Sequence, residues 1–307
     1  MFRMQIQSKK KCIWYCSAAV SFLLFLLLNL WCDHLVNMQD AQQMAGRWSE
    51  KKDVAQISCF FSSKAEVTED TIQSFEYSLK NVLQEASITE TSENPSARLW
   101  VDAYSADGKI TLVNGRNTLD ANAIGIGGDF FLFHPLKLIT GSYFSGNDLM
   151  QDYCIIDQDA AWQLFGSNDV VGMTVYIGNV PHIVTGVVRR PQGRMEKAAG
   201  LTSTVVYVSY ETLETYGTSN GINHYEIVMP NPVDEFAYGK VKDGIGIDEK
   251  NVEIVENSRR YSLLNRIKTI LAFGTRSMNG KAIIYPYWEN LARGYEDIIA
   301  LLTVFML

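Results

Sequence analysis

The residues able to do chemistry are spread thinly along this chain. Four histidines, His34, His134, His182 and His224, stand far apart, with no HExxH or paired spacing that would bring two imidazoles to one zinc ion. Each reads as a lone structural histidine. No GxxxxGK[ST] loop occurs, so a Walker A cradle for nucleotide phosphates is not expected. The GIGG at 125–128 reads as turn glycines before a strand rather than as a phosphate loop. Serines are plentiful, yet no GxSxG elbow presents one as a nucleophile. Asp148, Asp152, Asp157 and Asp159 lack the glycine and terminal glutamate of a calcium loop, and read as solvated charge and a helix cap. Of the five cysteines, Cys12, Cys16 and Cys32 lie in or beside an apolar run. Cys59 and Cys154 sit in apolar strand-like stretches where a buried free thiol is the common finding, although the two could pair in an oxidising compartment. The expectation is therefore no catalytic, cofactor-binding or metal-binding residues and no enzyme activity in this polypeptide by itself.

The elements that would position these groups follow from periodicity. Gln56–Ser62 reads as a buried strand. Thr68 then caps a helix with Glu69 and Asp70 in its first turn and Ile72, Phe75, Leu79, Val82 and Leu83 at helical spacing. Arg98–Ser105 alternates like a strand, completing a strand, helix, strand unit. A similar unit recurs downstream as His224–Met229, a helix over Val233–Lys242 after Pro232, and Asn251–Glu256. Between them lies a β-rich segment with strands near Ala121–Ile126, Thr174–Ile177, His182–Val188 and Thr204–Val208, punctuated by Gly and Asn turns. Asp157 is placed to cap a short helix whose Ala160, Ala161, Leu164 and Phe165 face inward, with Gly166 supplying a left-handed end. Gly178 and Asn179 suit a hairpin turn.

The whole assembly hangs from Ile13–Cys32, an uncharged apolar run behind Lys9, Lys10 and Lys11. As a helix it is roughly 30 Å long, the thickness of a bilayer core. Basic residues precede it and acidic ones follow, which places the N-terminus in the cytoplasm and the rest outside. An export signal has the same outline, but the run is long for one and Asn29, Leu30 and Trp31 make a poor cleavage site. A lipoprotein reading of Cys32 meets the same objection in Trp31. Across 307 residues the net charge is -7 and the pI near 5.2, which leaves no basic footprint for nucleic acid. A last helical pattern begins near Ser258 and carries Leu263, Leu264, Ile267, Ile270 and Leu271 up to Gly274. Tyr285, Tyr287 and Trp288 then precede the apolar Ile298–Leu307. They read as an interfacial belt ahead of a second membrane helix that the chain only begins, an amphipathic surface helix being the other reading.

The most specific stretch is Gly128–Val188. Its Phe130, Phe131, Gly141, Phe144, Asp148, Leu164, Phe165, Gly166, Val171, Gly172, Ile177, Gly178, Val184, Gly186 and Val187 resemble the MacB-like periplasmic core domain of ABC transporter permeases of the MacB and FtsX superfamily. Ser142 and Met173 stand where that family usually has Arg and Lys. The resemblance implies an α+β fold with an N-terminal transmembrane helix and an extracytoplasmic porter-like domain. The expected division is a cytoplasmic 1–12, a membrane helix at 13–32, a core domain at 47–281 with a β-rich subdomain inserted at about 106–222, and the start of a second membrane helix at 285–307. It also implies a permease subunit in the cell membrane whose partners are a cytoplasmic ABC ATPase, the lipid bilayer and a second permease, identical or homologous. A single-span outer binding or sensor module is the alternative.

Overall fold

The computed structural model describes residues 2–49, 53–89, 98–273 and 283–306. The helix end expected at Gly274, the domain boundary expected at Lys281 and the final Leu307 lie outside these. The chain forms a long apolar helix, α1 (Phe2–Asn37), a short α2 (Met44–Trp48), then β1 (Val54–Phe61), α3 (Glu69–Glu85), β2 (Val101–Asn114) and β3 (Asn117–Gly128). There follow α4 (Phe130–Phe133), β4 (Leu138–Gly141), β5 (Tyr153–Asp157), α5 (Gln158–Phe165), β6 (Thr174–Ile177), β7 (Val180–Val188), α6 (Arg194–Ala198), β8 (Val205–Ser209), α7 (Tyr210–Tyr216) and β9 (Thr218–Ser219). The last elements are β10 (His224–Pro230), α8 (Phe236–Gly244), β11 (Val252–Glu256), α9 (Leu263–Leu271) and α10 (Tyr287–Met306). This is the expected α+β class, an apolar helix leading into a large mixed sheet.

Among the described residues α1 is the one helix long and apolar enough to cross a membrane, over Ile13–Asn37, and its most apolar window is uncovered by protein. The helix continues past the expected end at Cys32. The reason is packing: Cys32 and Leu35 are buried against Tyr295, Ile299 and Leu302 of α10, so the last turns have a protein partner where the rest has none. The polar link to β1 is also fastened. The Gln56 side chain accepts from the Met44 backbone N–H at 2.8 Å and donates to the Ala41 carbonyl at 2.6 Å.

Among the described residues eleven strands form one sheet, ordered β11-β1-β10-β2-β3-β8-β5-β7-β4, with β6 on β2 and β7 and β9 on β2. Side chains alternate across it, as a period of two requires. Ala55, Ile57, Cys59 and Phe61 of β1 and Tyr225, Ile227 and Met229 of β10 join one core, to which α3 contributes Ile72, Phe75, Leu79 and Leu83 and α8 contributes Ala237 and Val241. Each such large side chain stabilises the fold by about 1.5–3 kcal/mol through burial. α3 is capped as expected, with the Thr68 and Thr71 side chains exchanging hydrogen bonds with the first turn. The opposite face packs Phe130, Phe133 and Trp288 over Val101, Ala103, Ile126 and Val228.

In the β-rich stretch the local reading holds in detail. The Asp157 carboxylate accepts from the Ala160 N–H at 2.8 Å, and α5 ends on Gly166 at φ +73°, a conformation costly for any residue with a Cβ. Gly178 and Asn179 both take positive φ between β6 and β7, the pairing a two-residue hairpin turn needs. The GIGG is different from its expected role as turn glycines. It forms the end of β3, and at Gly127 the Tyr104 ring from the paired strand lies where a side chain would stand, with a built Cβ 2.0 Å from the ring. α8 starts at Phe236 rather than Val233 because Glu235 takes a left-handed conformation, φ +65°, just before it.

Candidate functional site

On the face away from α3, strand register sets polar residues side by side in an otherwise apolar layer. Glu226 on β10 is paired with Ser58 on β1 and Ala103 on β2, and His224, two residues earlier on the same face, with Phe60 and Ser105. His134 arrives from the other direction. It follows α4, whose last carbonyls, Leu132 and Phe133, accept from Arg47 at 2.7 and 3.3 Å. Thus two histidines expected to be isolated meet one carboxylate. The His134 Nε2 lies 2.7 Å from Glu226 Oε2 and the His224 Nε2 lies 3.5 Å from Glu226 Oε1, with all three side chains no more than 3% exposed. The remaining histidines lie elsewhere. His182 is satisfied by the Val180 carbonyl and Thr212 hydroxyl at 3.0 and 3.1 Å, and His34 stands apart on α1.

The cluster is held from behind. The Ser58 hydroxyl donates to Glu226 Oε1 at 2.7 Å and itself accepts from Asn257 Nδ2 at 2.7 Å, while Ser105 Oγ lies 3.3 Å from His224 Nδ1. Burial pushes the His134 imidazole below its usual range, against the pull of Glu226. Burial alone would raise the Glu226 carboxyl, but the two imidazoles more than reverse this and hold it well below the usual carboxylate range. Phe130, Phe60 and Trp288 close over the rings, with Trp288 4.3 Å from His134 and 5.3 Å from His224 between centroids.

From Asn257 the polar contacts continue to the helices at the base. Arg260, buried, donates to Asn257 Oδ1 at 3.1 Å and to both Glu289 oxygens at 2.7 and 2.8 Å, and its Nε pairs with Glu296. Arg293 bonds Glu289 and Glu253, each at 2.7 Å, with its guanidinium 3.9 Å over the Tyr285 ring. Tyr261 donates to Gln39 beyond the end of α1. Tyr285 and Trp288 are only 4% and 5% exposed. These aromatics were expected as an interfacial belt and instead seal the outer domain, because their rings find Phe60 and Phe130 and the neighbouring charges of α10 find arginines.

A second titratable pair lies on the α3 face. The Tyr225 hydroxyl donates to Asp102 at 2.8 Å, and burial, together with the charge of Asp102 and a hydrogen bond to it, pushes the half-buried Glu76 carboxyl up to about 8. The folded chain thus retains a proton that the unfolded chain, with a carboxyl near 4.3, releases. Stability should fall as pH rises from about 4 to 8. Glu76→Gln should remove that loss and gain about 1 kcal/mol above pH 8, the figure being reduced because solvent screens a half-exposed group. Melting curves of both proteins across pH 4–9 test this, and parallel pH profiles would contradict it.

The other candidates lie apart from the histidine cluster. Asp157 and Asp159 share Arg190 at the start of α5, matching the cap reading of the acidic run. Cys59 and Cys154 are buried and free, and burial raises both thiols, that of Cys154 to about 12.

The geometry is that of a large mixed sheet behind one long apolar N-terminal helix, fastened at its base to the helices that follow it. The chain belongs to the MacB-like periplasmic core domain family, which matches residues 38–256. A macrolide export ATP-binding/permease protein MacB of Pasteurella multocida is 32% identical over 81 residues, 26% of this chain and 12% of that protein. One from Chromobacterium violaceum is 31% identical over 96 residues, 31% of this chain and 14% of that protein. The matched stretches thus span about an eighth of these relatives. Among solved structures, the periplasmic region of MacB from Actinobacillus actinomycetemcomitans matches 72% of this chain and 94% of its own at 20% identity and a TM-score of 0.44. The extracellular domain of the noncanonic ABC-type transporter YknZ from Gram-positive bacteria matches 65% and 99% at 20% identity and a TM-score of 0.40.

Proposed function

We propose that the chain is the anchored outer part of a permease subunit in a MacB/FtsX-type ABC system, without enzyme activity of its own. A separate cytoplasmic ATPase hydrolyses ATP, membrane helices carry the resulting motion outward, and the outer domain uses it for export or other extracytoplasmic work. The subunit works in the cell membrane as a dimer with itself or a homologous permease. Family membership supports the class. The observation that carries the mechanical part is the buried chain of contacts from α10 through Arg260 and Asn257 to Ser58 and Glu226 in mid-sheet, which gives a displacement of α10 a stiff route into the strands. The test is purification of the full-length gene product from native membranes. A nucleotide-binding protein with its own Walker A loop should co-purify, and ATPase activity should follow that partner. Recovery of the full-length product with no ATPase attached would overturn this reading and favour a single-span binding or sensor module.

A further inference from the structure

The His134, His224 and Glu226 cluster has the features of a ligand set rather than of a completed hydrogen-bond network. His134 Nε2, His224 Nε2 and Glu226 Oε2 are all sealed from solvent, and apart from the ion-pair contacts within the cluster none has a hydrogen-bond partner. Their far sides are engaged instead, His224 Nδ1 by Ser105 and Glu226 Oε1 by Ser58. That is the pattern by which outer partners orient metal ligands. Buried polar atoms left without partners are costly, so three of them converging on one point call for a common partner.

We propose that His134, His224 and Glu226 form a binding site for a divalent transition-metal ion, with zinc the best match. The three ligand atoms lie within 4.8 Å of one another. Four-coordinate zinc with ligands at about 2.1 Å sets neighbouring ligand atoms about 3.4 Å apart; His134 Nε2 and Glu226 Oε2 stand 2.7 Å apart, an edge that must widen slightly around an ion, and His224 Nε2 lies 3.5 Å from the other carboxylate oxygen, Oε1. Two imidazoles and one carboxylate suit zinc, whereas magnesium and calcium favour sites made wholly of oxygen. The fourth position is left to water, the kind of acceptor that the buried indole N–H of Trp288, also unpartnered, lacks. With Trp288 closing the site, the ion is structural. It ties the loop after α4 to β10 beneath α10. The inference stands apart from the transporter reading.

The test is metal content of the full chain expressed with zinc in the medium and purified in detergent without chelator. About one zinc per chain is expected, falling at least fivefold in His224→Ala and in Glu226→Gln. Refolding the wild type with Co²⁺ should give the visible absorption bands of four-coordinate cobalt, and chelator should lower its melting temperature. The cobalt bands and zinc content of the wild type decide the matter even if a variant fails to fold. Less than about 0.1 zinc per chain, with no cobalt bands, would overturn the site whether or not an ATPase co-purifies.

Discussion

Arg260→Ala is expected to destabilise the folded chain by about 3 kcal/mol, because it leaves Glu289 buried with half of its counter-charge gone. The loss sits at the low end of the range for breaking a buried pair, since Arg293 still reaches Glu289. Arg260→Lys should recover only part of it, as a single ammonium cannot span both carboxylate oxygens. Equilibrium denaturation in detergent, followed by tryptophan fluorescence, measures both. A change under about 1 kcal/mol for the alanine variant would mean that the base of the domain is held by apolar packing and not by this pair.

Phe130→Ala should cost about 3–5 kcal/mol, the range for removing a phenyl ring from a filled core. Phe130 is 2% exposed and packs on Phe131, His134, Tyr207 and Trp288 with centroids 4.5 to 6.2 Å apart. Trp162→Ala is the matched control. The residue is 59% exposed, so its loss should stay within about 0.5 kcal/mol. Equal effects of the two substitutions would show that the α4 layer is not a core.

Elements written in adjacent residues were legible. The Thr68 cap, the Asp157 cap, the Gly166 helix end and the Gly178–Asn179 turn each depend on side chains within a few residues of the backbone they serve. The alternation that signals β2 in the sequence stops at Ser105. The strand runs on to Asn114 since β3 lies along it and buries Ile110 and Leu112. The candidate site was not legible. His134 and His224 are brought together by the pairing of β10 with β2 and by the fold of α4 over that pair, neither of which leaves a spacing in the sequence. The signal that was present is fainter: Gln56 and Ser58 on β1, Ser105 on β2, and His224 and Glu226 on β10 are polar positions in strands otherwise apolar. Tyr285 and Trp288 misled for a related reason, since an aromatic pair ahead of an apolar run has the same composition whether it meets headgroups or a core.

The length of β2 bears on how the sheet can deform. The strand pairs with β10 from Val101 to Ser105 and with β3 from Ala103 to Asn114, touching β6 at Leu112 and Val113 near its far end. Sliding β2 past its neighbours would mean breaking this ladder, and a load running along the strand would meet its hydrogen bonds in shear, all at once, rather than peeling them one by one. Such a ladder resists stretching along β2, so under the permease role proposed above a displacement at one end of the strand would reach its other end with little loss.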